Sequence, residues 1–230
     1  MRDEAGASDV AQAFRVAPGT RVQLDERDPA DKAGLSHKAA AREETEKDAA
    51  AIDALQDRLY AERRRALLVI LQGTDTSGKD GTIRSVFNRT GPLGVSVTAF
   101  GRPDADDLAH DFLWRVHAAC PRRGTIGIFN RSHYEDVLVA RVRGLAPPDA
   151  IEARYGQIND FEKLLAENGT TILKFMLNIS KDEQAERLRA RLEEPESRWK
   201  FNPDDLEDRK HWDDYRRAYE IMLERCSTPH

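Results

Sequence analysis

The feature that most constrains this chain is an apolar run at residues 66–71 that is followed directly by a glycine-rich stretch. The run reads Ala-Leu-Leu-Val-Ile-Leu, and its unbroken hydrophobicity is typical of a strand buried in a parallel sheet. Gly73 bounds the strand, and helix signals run from Lys79 to about Arg89, where Gly91-Pro92 ends them. A buried strand that leads into a helix within a few residues predicts an α/β fold.

Strands and helices continue to alternate along the rest of the chain. The patterns predict strands at residues 95–100, 125–129 and 171–179, and helices at residues 39–65 and 149–168. Three further helices are predicted from apolar faces. The first face is formed by Leu108, Phe112, Leu113 and Val116, and the second by Ala185, Leu188 and Leu192. The third is formed by Trp212, Tyr215, Tyr219 and Met222. Ser180 is the expected N-cap of the second of these helices, with Glu183 as its capping-box partner. Strands separated by helices predict a three-layer α/β/α domain around a mostly parallel sheet.

Charge divides the chain into two parts. Residues 1–36 mix Gly, Pro, Asp and Ala without a sustained period, which predicts an extended arm before a single domain over residues 37–230. Of the net charge of −5, all lies in residues 1–62, because the remaining residues hold 27 basic and 27 acidic side chains. A balanced body argues against binding to nucleic acid. Arginine dominates its basic residues, which suits phosphate binding or reflects genome composition, and the sequence leaves both readings open.

The cellular context follows from what the sequence lacks. Residues 66–71 are the longest strongly apolar run, which is far too short to cross a membrane. The chain opens without a charged and then apolar leader, and Cys120 and Cys226 form no C-x-x-C pair. We therefore expect a cytoplasmic, reduced protein with no membrane partner, no disulfide framework and no zinc site.

The glycine-rich stretch is a candidate phosphate loop. It reads Gly73-Thr-Asp-Thr-Ser-Gly78-Lys79-Asp80-Gly81 and lies between a predicted strand and a predicted helix. Glycines allow backbone N–H groups to point at a phosphate, the helix N-terminus adds partial positive charge, and Lys79 is placed to reach the transferred phosphate. The residues predicted to contact phosphate through this loop are Gly73, Thr76, Ser77, Gly78 and Gly81. The alternative is a glycine-rich turn that binds no ligand.

Two carboxylates beside Lys79 indicate a metal ion. Asp80 stands where phosphate loops carry a Ser or Thr whose hydroxyl binds Mg²⁺. Asp75 and Asp80 suit a hard cation that bridges phosphate oxygens. Asp75 is the predicted ligand of Mg²⁺, with Mn²⁺ as a substitute, and Asp80 or Glu135 is a further candidate.

A second polar motif follows the strand predicted at residues 125–129. It reads Asn130-Arg131-Ser132-His133-Tyr134-Glu135-Asp136, and ligands of open α/β sheets bind beyond the carboxyl ends of the strands. Arg131 is therefore expected to face the loop and to bind a transferring phosphoryl group. Glu135 and Asp136 either supply a carboxylate for the metal or acceptor or pair with surface arginines.

Other arginines could extend a phosphate site. Arg141 and Arg143 lie in a stretch that ends in Gly144-Leu-Ala-Pro-Pro148, and we predict this stretch to be a mobile lid. Arg187 and Arg191 lie four residues apart on one helix and either line a polyanion channel or pair with Glu183 and nearby acids. The candidates for binding the acceptor nucleotide are Arg102, Asp111, Arg115, Asn130 and Glu135. The aromatic stripe from Trp212 to Met222 is expected to be core, and His110, His117 and His133 lack the spacing of a zinc site.

Several segments together resemble polyphosphate kinase family 2. They are residues 71–81, 110–115, 129–136 and 180–184, Trp199-Lys-Phe and residues 213–219, and they cover roughly residues 35–230. The wording of residues 129–136 is most similar to class III members, which accept nucleoside mono- and diphosphates.

This resemblance implies a P-loop kinase-like fold with a helical lid and a phosphotransferase that needs Mg²⁺. Inorganic polyphosphate would donate its terminal phosphoryl group to AMP or ADP, giving ADP or ATP. By position in the motifs, Asp75, Lys79, Asp80 and Arg131 are the expected catalytic residues. The resemblance also implies a homodimer or homotetramer. Members of the family continue past residues 227–230 into a further strand, so we expect a sheet strand to be missing here. Were the polypeptide to end here, one sheet edge would be exposed.

Two other classes of function remain as alternatives. An ATP-dependent nucleoside monophosphate kinase of the thymidylate-kinase type shares the loop but usually keeps the hydroxyl that Asp80 replaces. A non-catalytic nucleotide-binding switch that reads guanine would carry an Asn-Lys-x-Asp segment, and this sequence has none. An accessory polyphosphate-binding protein would not need Asp75 and Lys79 together.

Overall fold

Four parallel strands lie at the centre of the protein, with helices on both sides. The structure is a computed structural model that describes residues 11–32, 34 and 37–230. The strands are β1 (Ala66–Gln72), β2 (Val95–Ala99), β3 (Ile126–Asn130) and β4 (Thr170–Met176). The helices are α1 (Lys38–Glu62), α2 (Lys79–Val86), α3 (Trp114–Ala119), α4 (Val139–Val142), α5 (Pro148–Glu167), α6 (Lys181–Glu193), α7 (Asp204–Lys210) and α8 (Trp212–Cys226).

The strand order β2-β3-β1-β4 places β1 inside the sheet. Leu71 is paired with Asn130 on β3, and Gln72 is paired with Met176 on β4. Because all the strands are parallel, the segments that follow β1 and β3 leave the same edge of the sheet side by side. This topology brings the candidate phosphate loop next to the second polar motif.

Two apolar layers fill the space between the sheet and its helices. On one face, Leu68 and Ile70 pack with residues of α5 and α8 such as Ile158 and Met222. On the other face, the side chains of Val69, Leu71, Ile126 and Ile128 pack with Leu59 of α1 and with Ile83 and Phe87 in and after α2. Both faces of the inner strands are therefore buried, which explains why residues 66–71 are uniformly apolar. The three-layer α/β/α prediction is confirmed.

The last helix contributes its aromatic stripe to the core. Trp212, Tyr215, Tyr219 and Met222 are all buried, as the helical spacing predicts. None of the helices in the described ranges is long and apolar enough to cross a lipid bilayer.

The continuous helix predicted through Leu108 and Val116 is wrong. A 3₁₀ turn spans Asp107–Ala109, α3 begins only at Trp114, and Leu108 is 71% exposed. The Asp104 carboxylate accepts from the Asp107 N–H at 2.8 Å, and the Asp111 carboxylate accepts from the Leu113 N–H at 3.0 Å. Short acidic side chains that bond nearby backbone N–H groups favour turns over helix, which breaks the segment in two.

Helix α6 begins as predicted but faces a different way. Ser180 Oγ accepts from the Glu183 N–H at 3.1 Å, which confirms the N-cap. Gln184 and Leu188 are buried, whereas Leu192 is exposed, so Leu192 does not continue the predicted apolar face. The buried face of α6 contains a polar residue because it packs against the backbone of the candidate phosphate loop.

Part of the predicted N-terminal arm packs on the domain. Val22 and Leu24 are buried, and the Leu24 N–H donates to Glu220 of α8 at 2.9 Å. Residues 1–10, 33, 35 and 36 of the predicted arm lie outside the described residues.

Candidate active site

The candidate phosphate loop connects β1 to α2 and depends on two glycines. Gly73 has φ of 151°, and a Cβ built there would lie 2.6 Å from Ser77 Oγ and 2.8 Å from the Leu177 carbonyl oxygen. Gly78 is the N-cap of α2 with φ of 104°. Both are backbone conformations that side chains disfavour, so these positions require glycine for steric reasons. Gly81 lies in the first turn of α2, where a Cβ would meet nothing within 4 Å.

Helix α6 holds the outer side of the loop. Gln184 Nε2 donates to the Asp75 carbonyl at 3.2 Å, and Arg187 Nη1 donates to the Thr76 carbonyl at 2.8 Å. The Asp75 carbonyl and the Thr76 N–H belong to the same trans peptide and point in opposite directions. Since the carbonyl faces Gln184, the Thr76 N–H points away from α6. Arg187 also pairs with Glu183 through Nε at 2.7 Å. Arg187 therefore makes the expected i,i+4 pair and also contacts the loop backbone, while its role in a polyanion channel stays a prediction.

Lys79 lies inside the loop and caps its carbonyl oxygens. Its Nζ donates to the Gly73 carbonyl at 2.7 Å, to the Thr74 carbonyl at 3.1 Å and to Ser77 Oγ at 3.3 Å. The residue is only 8% exposed. Burial and then the charge of Arg131 lower the pKa of Lys79 to about 8, although nearby carboxylates oppose the shift. A bound anion would therefore stabilise the charged form of Lys79, which burial and Arg131 disfavour.

Arg131 follows β3 and points at the loop. Its N–H donates to the Leu71 carbonyl at 3.0 Å, and its Nη2 lies 2.6 Å from Asp75 Oδ1. Its backbone has φ of 63°, a left-handed conformation that is uncommon outside glycine. Burial alone would lower the pKa of Arg131, but the carboxylates of Asp75 and Glu135 raise it above its ordinary value. A permanent positive charge therefore lies beside the loop.

Glu135 is the second carboxylate near Arg131. With its amide nitrogen toward Glu135, Gln72 donates to Glu135 Oε1 at 3.1 Å and accepts from Ser132 Oγ at 3.1 Å. Burial raises the pKa of Glu135, while the charges of Arg131 and Lys79 oppose that rise. Gln72, the last residue of β1, therefore links the phosphate loop to the turn after β3. The structure places Glu135 near Arg131 and Lys79, and its expected role with the metal or the acceptor stays a prediction.

The segment between α6 and α7 reaches Asp80. Asn130 Nδ2 donates to Asp80 Oδ1 at 2.7 Å, and Lys200 Nζ lies 3.7 Å from Asp80 Oδ2. Nearby, Arg191 Nη1 lies 3.1 Å from Asp205 Oδ2. Burial and then the charge of Asp75 raise the pKa of Asp205 to about 6, against the opposing charges of Arg191 and Arg131. Two acidic and two basic side chains therefore pair around the segment between α6 and α7, namely Asp80 with Lys200 and Asp205 with Arg191.

The donor set of the loop fits a magnesium ion that is held mainly by substrate. In phosphoryl-transfer sites Mg²⁺ binds one or two carboxylates and takes its other ligands from phosphate oxygens and water. Asp75 and Asp80 flank Lys79 at the partly exposed side of the loop and match that need. In the part of the chain that the structure describes, no cluster of three acidic, histidine or cysteine side chains forms an all-protein site.

Two of the predicted lid and channel arginines are engaged away from the loop. Arg141 Nη1 donates to Glu152 of α5 at 2.8 Å, and Arg143 Nε donates to Asp208 of α7 at 2.8 Å. A cavity of about 620 Å³ lies beside Arg141 and is lined by residues 144–148, Ile151 and Glu152. The predicted lid segment therefore borders a cavity.

Three of the residues predicted to bind the acceptor, Arg102, Asp111 and Arg115, lie in the segment after β2 and in α3. Arg115 donates to the Gly101 carbonyl at 3.1 Å and to Asp107 at 3.3 Å, and the Asp111 carboxylate accepts from the Leu113 N–H at 3.0 Å just before α3. Arg102 is exposed. Arg115 and Asp111 thus make local structural contacts, whereas Asn130 and Glu135 lie at the loop.

Four residues that contact the site were not singled out from the sequence. They are Gln72, Gln184, Lys200 and Asp205. Gln72 carried a usable signal, because it is a polar residue at the carboxyl end of the central strand. Gln184 comes from α6, Lys200 from the segment before α7 and Asp205 from the first turn of α7. Two of them lie in segments that carry the family resemblance, but no local pattern predicts their contacts, which arise only from packing.

Comparison with known proteins agrees with this architecture. The family model described as polyphosphate kinase 2 matches residues 35–230. The chain is 51% identical to a protein of Meiothermus ruber named AMP/ADP-polyphosphate phosphotransferase, over 94% of this chain and 81% of that protein. It is 41% identical to an ADP-polyphosphate phosphotransferase of Rhodopseudomonas palustris, over 94% of this chain and 78% of that protein.

A solved structure leads to the same assignment. The crystal structure of polyphosphate kinase 2 from Arthrobacter aurescens superposes with a TM-score of 0.89 at 43% sequence identity. The superposition covers 94% of this chain and 78% of that chain. The family model spans most of the sequence, and the phosphate loop, the strand order and the turn that carries Arg131 agree with it. This chain therefore belongs to the polyphosphate kinase 2 family.

Proposed function

We propose that the protein transfers the terminal phosphoryl group of inorganic polyphosphate to AMP or ADP, forming ADP or ATP. The observation that carries this proposal is the convergence of Lys79 and Arg131 at the carboxyl ends of β1 and β3, where Arg131 pairs with Asp75 of the loop. Membership of the polyphosphate kinase 2 family and the printed names of its relatives support the choice of donor.

The chain's own residues would act mainly by position and charge. Phosphoryl transfer needs little covalent chemistry from the protein and depends on alignment and on stabilising negative charge. A bound polyphosphate would take the place of the carbonyl oxygens that Lys79 now contacts, and it would compete with Asp75 for Arg131. The Lys79 ammonium and the Arg131 guanidinium would then both be available to the transferred group.

The acceptor range is proposed to include both AMP and ADP, as in class III. The relative with 51% identity is named for both acceptors, and the wording of residues 129–136 supports the same subtype. The relative with 41% identity is named for ADP only, so ADP specificity is the competing outcome.

One experiment tests donor and acceptor together. The protein is incubated with Mg²⁺ and either AMP or ADP, with polyphosphate or ATP as the donor, and the nucleotides are separated by chromatography. With polyphosphate, AMP should give ADP first and ATP later. Phosphorylation of AMP only when ATP is the donor would instead support the nucleoside monophosphate kinase. Product from ADP but not from AMP would remove the class III assignment and leave the polyphosphate donor intact.

We also propose Mg²⁺, with Mn²⁺ as a substitute, as the metal of this reaction. Asp75 is the main candidate ligand, and Asp80 or Glu135 is the second candidate. The ion would neutralise phosphate charge and bridge phosphate oxygens.

Asp75→Asn tests the metal proposal. The amide keeps the shape of the side chain but loses its charge, so the Mg²⁺ concentration for half-maximal rate should rise about tenfold or more. The rate is titrated with Mg²⁺ for the wild type, for Asp75→Asn and for Asp213→Asn, a control on α8 outside the loop. An unchanged Mg²⁺ dependence in Asp75→Asn would remove its role as a ligand.

The family resemblance supports a proposal about assembly, and the short apolar runs of the sequence support one about location. We propose a homodimer or homotetramer in the cytoplasm. Light scattering coupled to size-exclusion chromatography measures the mass directly, and a monomer at assay concentration would overturn the assembly.

A further inference from the structure

A fully buried carboxylate lies beneath the turn that carries Arg131. Glu162 of α5 is 0% exposed. It accepts from Tyr134 OH at 2.6 Å, lies 3.1 Å from His133 Nε2 and lies 2.5 Å from Lys174 Nζ. Lys174, on β4, also donates to the Cys226 carbonyl at the end of α8 at 2.7 Å. The cluster therefore joins the turn to the sheet and to two helices.

Glu162 is ionised within this cluster. Burial alone would raise its pKa, but the hydrogen bond with His133 and the charges of His133 and Lys174 lower it below the ordinary value. A buried ion pair adds little net stability compared with well-packed apolar residues. Stability therefore does not explain why Glu162 and Lys174 are buried here as an ion pair, and another role has to be considered.

His133 and Tyr134, which hydrogen-bond to Glu162, are the first two residues of the 3₁₀ turn His133–Asp136. This turn starts two residues after Arg131, whose backbone is left-handed with φ of 63°. A non-glycine residue in that conformation persists only when its surroundings fix it. On its other side the turn is tied to α5 again, because Arg154 Nη1 donates to the Asp136 carbonyl at 2.9 Å.

Each end of Arg131 is therefore fixed by a different neighbour. Before it, β3 is hydrogen-bonded in the sheet, and the Arg131 N–H itself donates to Leu71. After it, Ser132 bonds Gln72, and His133 and Tyr134 bond Glu162. Without Glu162 the chain after Arg131 would lose its deepest attachment, and the strained residue would relax toward an ordinary backbone conformation.

We infer that Glu162 is a positioning residue, which holds Arg131 in its left-handed conformation so that the guanidinium faces the phosphate loop. This inference rests on the proposed function for its kinetic readout. Glu162 does not touch the phosphates in this scheme. It acts through His133, Tyr134 and Arg131, and it should therefore matter only while Arg131 is present.

The test is a double-mutant cycle with Glu162→Gln and Arg131→Ala. Two quantities are measured at a temperature where circular dichroism shows every variant folded. They are kcat with ADP and polyphosphate, and the Kd for tripolyphosphate by calorimetry. Glu162→Gln should lower kcat and weaken tripolyphosphate binding by about tenfold when Arg131 is present, and by less than about twofold in the Arg131→Ala background. Glu220→Gln is the matched control, because Glu220 holds Leu24 of the arm rather than the turn.

The outcomes separate a positioning role from a structural one. Equal losses in both backgrounds, or no loss in either, would overturn the inference. If Glu162→Gln does not fold, Tyr134→Phe replaces it, since that change removes one hydrogen bond to Glu162 and keeps the ion pair with Lys174. A wild-type protein that binds tripolyphosphate but does not use polyphosphate as a donor would refute the proposed function, and the binding cycle would still decide the role of Glu162.

Discussion

The phosphate loop and the turn after β3 place cations at the same site by different means. The loop takes part of its shape from its own residues, with Gly73 and Gly78 in conformations that other residues disfavour, and Gln184 and Arg187 of α6 bond its carbonyl oxygens from outside. The turn holds Arg131 in a strained conformation by contacts with residues far away in sequence, such as Gln72 and Glu162.

This difference explains what each region shows in the sequence. A structure that depends on glycines and a following helix leaves a contiguous motif. A structure that depends on distant partners leaves only a cluster of polar residues whose orientation is not encoded locally. The two regions are nevertheless coupled electrostatically, because Arg131 is one of the charges that lower the pKa of Lys79.

The largest expected effect is that of Lys79→Ala. Removing the buried ammonium takes away charge that meets the transferred phosphate, so kcat should fall about a hundredfold or more. Steady-state rates with ADP and polyphosphate measure it, and Lys163→Ala, an exposed residue of α5, is the control. Near-normal turnover in Lys79→Ala would show that the loop is not the site of transfer, and the comparison between the two regions would then lose its basis.

A pair of glycine substitutions tests whether the loop shape is local. Gly73→Ala places a Cβ against Ser77 Oγ and the Leu177 carbonyl, in a backbone region that costs about 1–3 kcal/mol for other residues. Gly81→Ala meets nothing within 4 Å and gains about 1 kcal/mol of helix propensity. Urea unfolding should therefore show a loss for the first variant and no loss for the second. If both variants were equally stable, steric demand at Gly73 would not shape the loop.

The pH dependence tests the coupling between the two regions. The pKa of Lys79 in the free protein is about 8, so kcat/KM for polyphosphate should fall about tenfold per pH unit above that value. Bound polyphosphate raises the pKa again, so the decline in kcat should begin at higher pH. Arg131→Ala should move the decline in kcat/KM to higher pH, because it removes a positive charge that lowers the pKa of Lys79. A decline in kcat/KM at the same pH in both proteins would mean that Arg131 does not influence Lys79.

The same group makes stability depend on pH in a defined direction. The folded-state pKa of Lys79, about 8, lies below the ordinary value of 10.5. Between these values the unfolded chain binds more protons than the folded one, so the contribution of Lys79 to the free energy of unfolding rises with pH. Lys79→Ala should remove that contribution.

The smallest expected effect is at the cap of α6. Ser180→Ala removes the hydrogen bond to the Glu183 N–H and should cost about 1 kcal/mol of stability with little change in kcat. The loop should keep its shape, because Gln184 and Arg187 still contact its carbonyl oxygens. Thermal unfolding and steady-state kinetics measure the two quantities. A large loss of kcat would instead show that the loop depends on the start of α6 and is less self-contained than its glycines suggest.

The prediction of the fold was accurate where the signal was local and failed where side chains competed with the backbone. The strands and the long helices were placed within a few residues, because burial on one or two faces imposes a period on the sequence. The segment around Leu108 was wrong because Asp104 and Asp111 bond nearby N–H groups and stop the helix. Leu192 was assigned to an apolar face that in fact packs on the phosphate loop, and its own side chain is exposed.

The sequence by itself determined the alternation of strands and helices, the glycine-dependent loop with Lys79 and the existence of a second polar motif after β3. Each of these is set by residues that are neighbours in the chain. Only the tertiary structure decided that β1 lies between β3 and β4, that Arg131 meets Asp75, and that Glu162 lies beneath the turn. These contacts join residues tens of positions apart, and they form only when the parallel strands align and the helices pack on the sheet.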